Sequence, residues 1–178
     1  MRKLKNDELG RLNIEDFKKA TKTPIVVILD NVRSSHNIGS VFRTSDAFLV
    51  EAIYLCGITS RPPHKDIHKT ALGATESVEW HYYEETMEPL LLLKQKGYII
   101  VVVEQTTESI SLQDFRLDRS KRYAFVFGHE VRGVDQRVVD SCDISLVIPQ
   151  FGTKHSLNIS VTAGLVLWEA FRQLKQLK

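Results

Sequence analysis

Apolar residues in this chain follow two rhythms. Unbroken runs occur at 25–29, 52–56, 98–103 and 123–127, and a further run at 144–148 is interrupted only by Ser145. A strand with one wet face would alternate in polarity, so continuous runs predict strands covered on both faces, as in a parallel sheet. Val78-Glu79-Trp80 is a shorter candidate. Elsewhere apolar positions recur every three or four residues. Ile38, Val41, Phe42 and Phe48 follow the capping residues Ser34-Ser35-His36-Asn37, and Met87, Leu90, Leu91 and Leu93 face inward from a helix over 84–96 that ends before Gly97. Residues 67–71 predict a helical turn and 135–140 a short helix. A long final helix begins at Ser156 or Asn158 and carries Ile159, Val161, Leu165, Val166, Trp168 and Phe171. Strands alternating with helices predict an α/β fold, with a mainly parallel sheet and helices on both faces.

Residues 1–22 differ from the rest. They predict a basic, weakly amphipathic helical extension with Leu4, Leu9, Leu12, Ile14 and Phe17 on its apolar side, ended by Thr23-Pro24. The remaining 23–178 suffices for one core of usual size, so the expected organisation is an extension followed by one domain. A net charge of +2 in 178 residues does not itself demand a nucleic-acid partner. Its distribution says more, because Arg2, Lys3 and Lys5, and then Arg61, Lys65 and Lys69, form basic clusters suited to a phosphate backbone. Cys56 and Cys142 form no CxxC pair and read as small apolar residues in a reducing cytosol. No apolar run reaches the length of a membrane span, and no signal-peptide core opens the chain, so a soluble cytoplasmic protein without membrane contact is expected. His64 and His68 are four apart, but Lys65 stands where a zinc protease motif needs Glu, and no metal is expected.

Three stretches after predicted strands carry candidate chemistry, and in a parallel sheet all three belong at its carboxyl edge, where ligands bind. The first is Asn37-x-Gly39-x-x-x-Arg43. Gly39, Ser40 and Ala47 neighbour Arg43 on a helix and leave its guanidinium approachable; the alternative is a surface pair with Asp46, worth a few tenths of a kcal/mol. The second is Phe127-Gly128-x-Glu130-x-x-Gly133. Its glycines suggest a backbone that approaches a ligand closely, and Val134-Asp135 exclude a Walker phosphate loop. Glu130 reads either as a ligand-facing carboxylate or as a charge favoured by a helix N-terminus. The third is Ile148-Pro149-x-x-Gly152-x-x-x-Ser156-Leu157-Asn158-x-Ser160, a strand stopped by Pro, a loop and a capped helix.

Together these motifs resemble those of the SPOUT superfamily, in particular the TrmH-type (SpoU) RNA ribose methyltransferases, with Gln150 and His129 as departures where Met and Asn are common. The resemblance implies a homodimer, joined through the final helix, whose domain ends in a deep trefoil knot that the strand pattern does not reveal. It implies S-adenosylmethionine as cofactor, held around Val103, Glu104, Gly128, Ile148 and Leu157, with Ser156 and Asn158 lining the site. It also implies catalysis by Arg43 with Asn37, Glu130, Ser156 and Asn158, on a ribose 2′-hydroxyl of tRNA or rRNA. Guanidinium is a poor base, which favours Arg43 as a stabiliser of the developing alkoxide, the proton passing to a phosphate, to Glu130 or to water. The competing readings are an RNA-binding protein that kept the fold without catalysis, and an RNA base methyltransferase.

Overall fold

The apolar runs become strands of one sheet in the computed structural model, which describes residues 1–175; the last three positions of the domain read as 23–178 lie outside them. The strands are β1 (Thr23–Asp30), β2 (Val50–Cys56), β3 (Glu79–Tyr83), β4 (Tyr98–Val103), β5 (Ile110–Ser111), β6 (Arg122–Phe127) and β7 (Ile144–Val147). Their spatial order is β3-β2-β1-β6-β4-β7-β5, and every pairing is parallel. Parallel strands need crossovers, and helices supply most of them: α1 (Ile14–Lys19) precedes the first strand, α2 (Ser35–Ala47), α3 (Lys65–Ala71), α4 (Ala74–Ser77), α5 (Met87–Gln95) and α6 (Gln136–Asp140) lie between strands, and α7 (Ile159–Leu174) follows the last one.

Alternate residues of β1 sort the molecule into two apolar layers. Ile25, Val27 and Leu29 pack with Phe17 of α1, Phe42 of α2, Ile67 of α3 and Leu167 of α7. Val26 and Ile28 face the other way, onto Leu90 and Leu93 of α5 and Val138 of α6. The sheet is therefore covered on both faces, which is why its central strands need no polar side. Full burial of each large side chain contributes roughly 1.5–3 kcal/mol. Where α2 crosses α3, Gly39 makes the approach possible: a Cβ there would stand 2.1 Å from Thr70 Oγ1 and 2.4 Å from the Ile67 carbonyl oxygen.

Several boundaries differ from expectation. The N-terminal segment is a 3-10 turn, Asn6–Leu9, and the separate helix α1, because Gly10 takes a left-handed conformation between them (φ 58°). Of its apolar residues only Phe17 is buried; Leu4, Leu9, Leu12 and Ile14 are exposed. Helix α5 starts at Met87, after Thr86, whose hydroxyl is held by the buried Asp30, and Leu91 faces solvent. Strand β3 runs on to Tyr83 because its backbone pairs with β2 as far as Cys56. The two-residue β5 is too short to leave a pattern in sequence.

The order β1-β6-β4-β7 places four carboxyl ends side by side. Motif residues far apart in sequence thereby follow neighbouring strands.

Candidate active site

The loop after β1 opens α2, whose N-cap Ser34 accepts a hydrogen bond from the Asn37 amide (3.3 Å). Helix starts leave backbone N–H groups without partners. Glu130, from the loop after β6, supplies the missing acceptor: its carboxylate accepts from the Arg33 amide (3.0 Å), the Ser34 amide (2.9 Å) and Asn37 Nδ2 (3.2 Å). Burial alone would raise the Glu130 pKa, but these donors outweigh it and hold the carboxyl below its usual range. Asn37 Oδ1 in turn accepts from Asn158 Nδ2 (3.1 Å). Asn158 caps α7, its Oδ1 accepting from the Ser160 amide (2.9 Å) and hydroxyl (2.7 Å). One continuous chain of hydrogen bonds thus joins all three motifs. Glu130 does serve a helix N-terminus, but that of α2, almost a hundred residues away in sequence.

The glycines of the second motif fold that loop onto itself. His129 and Gly133 exchange both backbone hydrogen bonds (3.1 and 2.8 Å), and a Cβ on Gly128 would stand 2.4 Å from the backbone of Gly133 and Val134. Gly133 has φ +70°, and a side chain there would collide with Glu104. The turn and the neighbouring chain are therefore sufficient to require glycine at both positions, and both residues also line the cleft between the loops. Glu104, at the end of β4, accepts from the Gln105 amide (2.9 Å) and the Val134 amide (3.1 Å). Gln105 Nε2 donates to the His155 carbonyl (2.6 Å), so the β4 end holds both the second and third loops.

Between these loops lies a cleft of about 1260 Å³. Val103, Glu104, Gly128 and Ile148 line it, as do Ser156, Leu157 and Asn158, together with Glu130. Asn37 reaches it only through its bonds to Glu130 and Asn158. Arg43 stands apart: it is exposed and lines a separate hollow of about 280 Å³ with Leu12, Phe17 and Asp46. It makes no ion pair with Asp46 among the described residues, and the Asp46 carboxylate instead accepts from the Ser77 hydroxyl. Gly39 faces α3, so its smallness serves helix packing and not access to Arg43.

Among the basic residues expected to meet RNA, Arg2 pairs with Glu8 (2.8 Å) and Arg61 lies over the Tyr82 ring (4.3 Å). Lys3, Lys5, Lys65 and Lys69 are exposed. None of the six lines the cleft. Sequence reasoning missed Asp30, whose buried carboxylate accepts from the Thr86 hydroxyl, Asn31 Nδ2 (2.9 Å) and the Asp135 amide (3.1 Å), fixing the exit of the second loop. The available signal was an acid closing an otherwise apolar strand.

Comparison with known proteins identifies the family. The model of the SpoU rRNA methylase family matches residues 24–168. The chain belongs to the SpoU rRNA methylase family. It is 33% identical to a tRNA (guanosine(18)-2′-O)-methyltransferase of Aquifex aeolicus over 85% of this chain and 71% of that protein. It is 34% identical to the 23S rRNA (guanosine-2′-O-)-methyltransferase RlmB of Neisseria meningitidis serogroup B over 92% of this chain, spanning only 65% of that protein. The crystal structure of the A. aeolicus TrmH/SpoU tRNA modifying enzyme superposes with a TM-score of 0.78 at 31% identity, covering 90% of this chain and 79% of that one. An AdoMet-bound rRNA methyltransferase from Sinorhizobium meliloti gives 0.79 at 25% identity, covering 89% and 60%. The departure at position 129 from the SpoU pattern has a physical account: His129 Nδ1 accepts from the Val131 amide (3.0 Å), a turn-forming role that an Asn side chain also fills.

Proposed function

We propose that this SpoU family member transfers a methyl group from S-adenosylmethionine to a ribose 2′-hydroxyl of tRNA or rRNA. The hydrogen-bond chain from Glu130 through Asn37 to Asn158 carries the reading, since it holds three family motifs around one cleft. The cleft suits the cofactor: apolar walls from Val103, Ile148 and Leu157 stand beside the loops that follow β4, β6 and β7. Its volume exceeds the roughly 300–1,000 Å³ of ordinary small-molecule sites, which leaves room for a nucleotide beside the cofactor. When bound, S-adenosylmethionine supplies a methyl on a positively charged sulfur, already activated towards an oxygen nucleophile.

The chain's own residues then have to position the hydroxyl and stabilise its charge. Ser156 is exposed on the cleft wall and can hold the ribose. Glu130 is assigned a positioning role, because its carboxylate is fully engaged with donors and held ionised below the usual range, which makes it a weak proton acceptor. Arg43 is assigned the stabilisation of the developing alkoxide, whose proton passes to a phosphate of the RNA or to water as methyl transfer leaves a neutral thioether on the cofactor. Since it lies outside its own chain's cleft, we place it in the cleft of a second copy. Val161, Leu165 and Trp168 support that dimer: they recur at helical spacing on α7, are exposed, and belong to the helix that packs on α2. We further read the C-terminal segment as the family's trefoil knot. Residues 1–22, anchored at Phe17, and the Arg61–Lys65–Lys69 surface are read as RNA-facing parts of a cytoplasmic enzyme whose methyltransferase domain is 23–178. Incubating the protein with total RNA and methyl-labelled S-adenosylmethionine, followed by nucleoside analysis, tests the reading. Label in 2′-O-methylnucleosides is expected; label in a base, or none, would overturn it.

A further inference from the structure

The second and third loops both line the cleft, and each carries an exposed apolar residue. Phe151, in the third loop, is 96% exposed, and Val131, in the second, is 79% exposed. A Phe side chain presents some 150–250 Å² of surface, and leaving it in water forfeits about 25 cal/mol for each Å². Among the described residues nothing covers it, and 149–158 is exposed throughout. The immediate neighbours Gln150, Gly152 and Thr153 are neutral, and the ionisable side chains beyond them are basic. Lys154 and His155 follow Phe151, and Arg132 is exposed on the opposite loop. Residues 148–158 contain no acid, and the one carboxylate of the facing motif, Glu130, is turned onto the start of α2. Among the described residues neither Arg132 nor Lys154 makes an ion pair.

We propose that Phe151 is a stacking platform for an RNA base at the mouth of the cleft, with Lys154 and Arg132 taking the flanking phosphates. Protein interface cores are depleted in Lys, whereas an aromatic ring set among unpaired cations matches the combination that binds single-stranded nucleic acid. The apolar stripe on α7, with no such cations between Val161, Leu165 and Trp168, fits a second copy instead. The platform rests on the RNA methyltransferase reading and adds to it a base contact next to the target ribose, at a place distinct from the N-terminal and α3 basic clusters.

The test uses the full chain and fluorescently labelled single-stranded oligouridylate and oligoadenylate of equal length. Phe151→Ala should weaken binding to both roughly 5- to 150-fold, the range of one base–aromatic stack, with S-adenosylmethionine affinity by calorimetry and the thermal midpoint unchanged. Phe151→Trp should keep RNA affinity, and its added indole emission should be quenched by RNA beyond any change from Trp80 and Trp168. Parental RNA affinity in Phe151→Ala overturns the proposal. So does an equal loss of cofactor affinity, which would make the loop a cofactor cover, or a shift of Phe151→Ala to monomer in sedimentation, which would make its occupant a second copy. Failure of the parent to methylate RNA refutes the enzymatic reading; the Phe151 effect on RNA affinity is read separately from it.

Discussion

Glu130 accepts three hydrogen bonds from the start of α2, and the charge on its carboxyl is favoured by the fold. A carboxyl whose pKa is depressed on folding contributes stability that is present above the unfolded value and lost as pH falls through the folded one. Glu130→Gln should therefore unfold at lower denaturant than the parent at pH 7, and the gap should close only as pH drops below the usual carboxylate range. Paired urea titrations at descending pH measure this; a gap that persists in acid would contradict the assignment. Arg43 is the opposite case, exposed and, among the described residues, without an ion pair to lose. Arg43→Ala should leave thermal stability and cofactor affinity near parental values while slowing methyl transfer by about a hundredfold or more, the scale for one oxyanion-stabilising donor. Arg43→Lys should recover little, because an ammonium lacks the planar two-point contact. Single-turnover rates decide it: a folded Arg43→Ala protein that methylates RNA at the parental rate would remove Arg43 from the mechanism. Asp46→Ala, which removes the hydrogen bond from Ser77, serves as the control with expected near-parental turnover.

At the scale of elements, the crossing of α2 over α3 leaves no room for a methyl group at Gly39, and one of the two atoms in the way is a backbone oxygen. Gly39→Ala should cost about 1–3 kcal/mol in chemical denaturation, the usual range for overpacking. Gly152→Ala, at an open position in the third loop, should change stability little. Phe17, 4% exposed, ties α1 to the core, so Phe17→Ala should cost roughly 3–5 kcal/mol. A change confined to RNA affinity would show instead that α1 only rests on the surface. The strands of this fold were legible because runs such as 25–29 and 123–127 must be apolar on both sides. What stayed hidden was set by contacts between distant segments. Nothing local marks Thr86 as the partner of Asp30, and Gly39, Gly128 and Gly133 look alike in sequence while meeting α3, their own loop and Glu104. Asn37, Glu130 and Asn158 were legible as motif positions, but their bonds to one another depend on strand order, which periodicity does not encode.

For the whole molecule, the stripe of Val161, Leu165 and Trp168 predicts assembly. Sedimentation should give twice the chain mass of 20.3 kDa, and Trp168→Glu, at a position already 45% exposed, should yield a folded monomer. That monomer should bind S-adenosylmethionine yet methylate poorly if Arg43 serves the neighbouring cleft; full activity in the monomer would refute the shared site. The parallel sheet has a further consequence, for the order of events in folding. Its central pairing sets β1 against β6, and the Ser34–Glu130 bond across their ends joins residues 96 apart in sequence. Closing so long a loop must come before its contacts can stabilise anything, so this topology belongs with slow folders, in the range of milliseconds to seconds or longer. A chain emerging from the ribosome has β1, β2 and β3 early, but their neighbour β6 comes late, and the third motif later still. No amino-terminal fragment can hold the cleft, and the interval before β6 arrives is when β1, apolar on both faces, stands most exposed to aggregation.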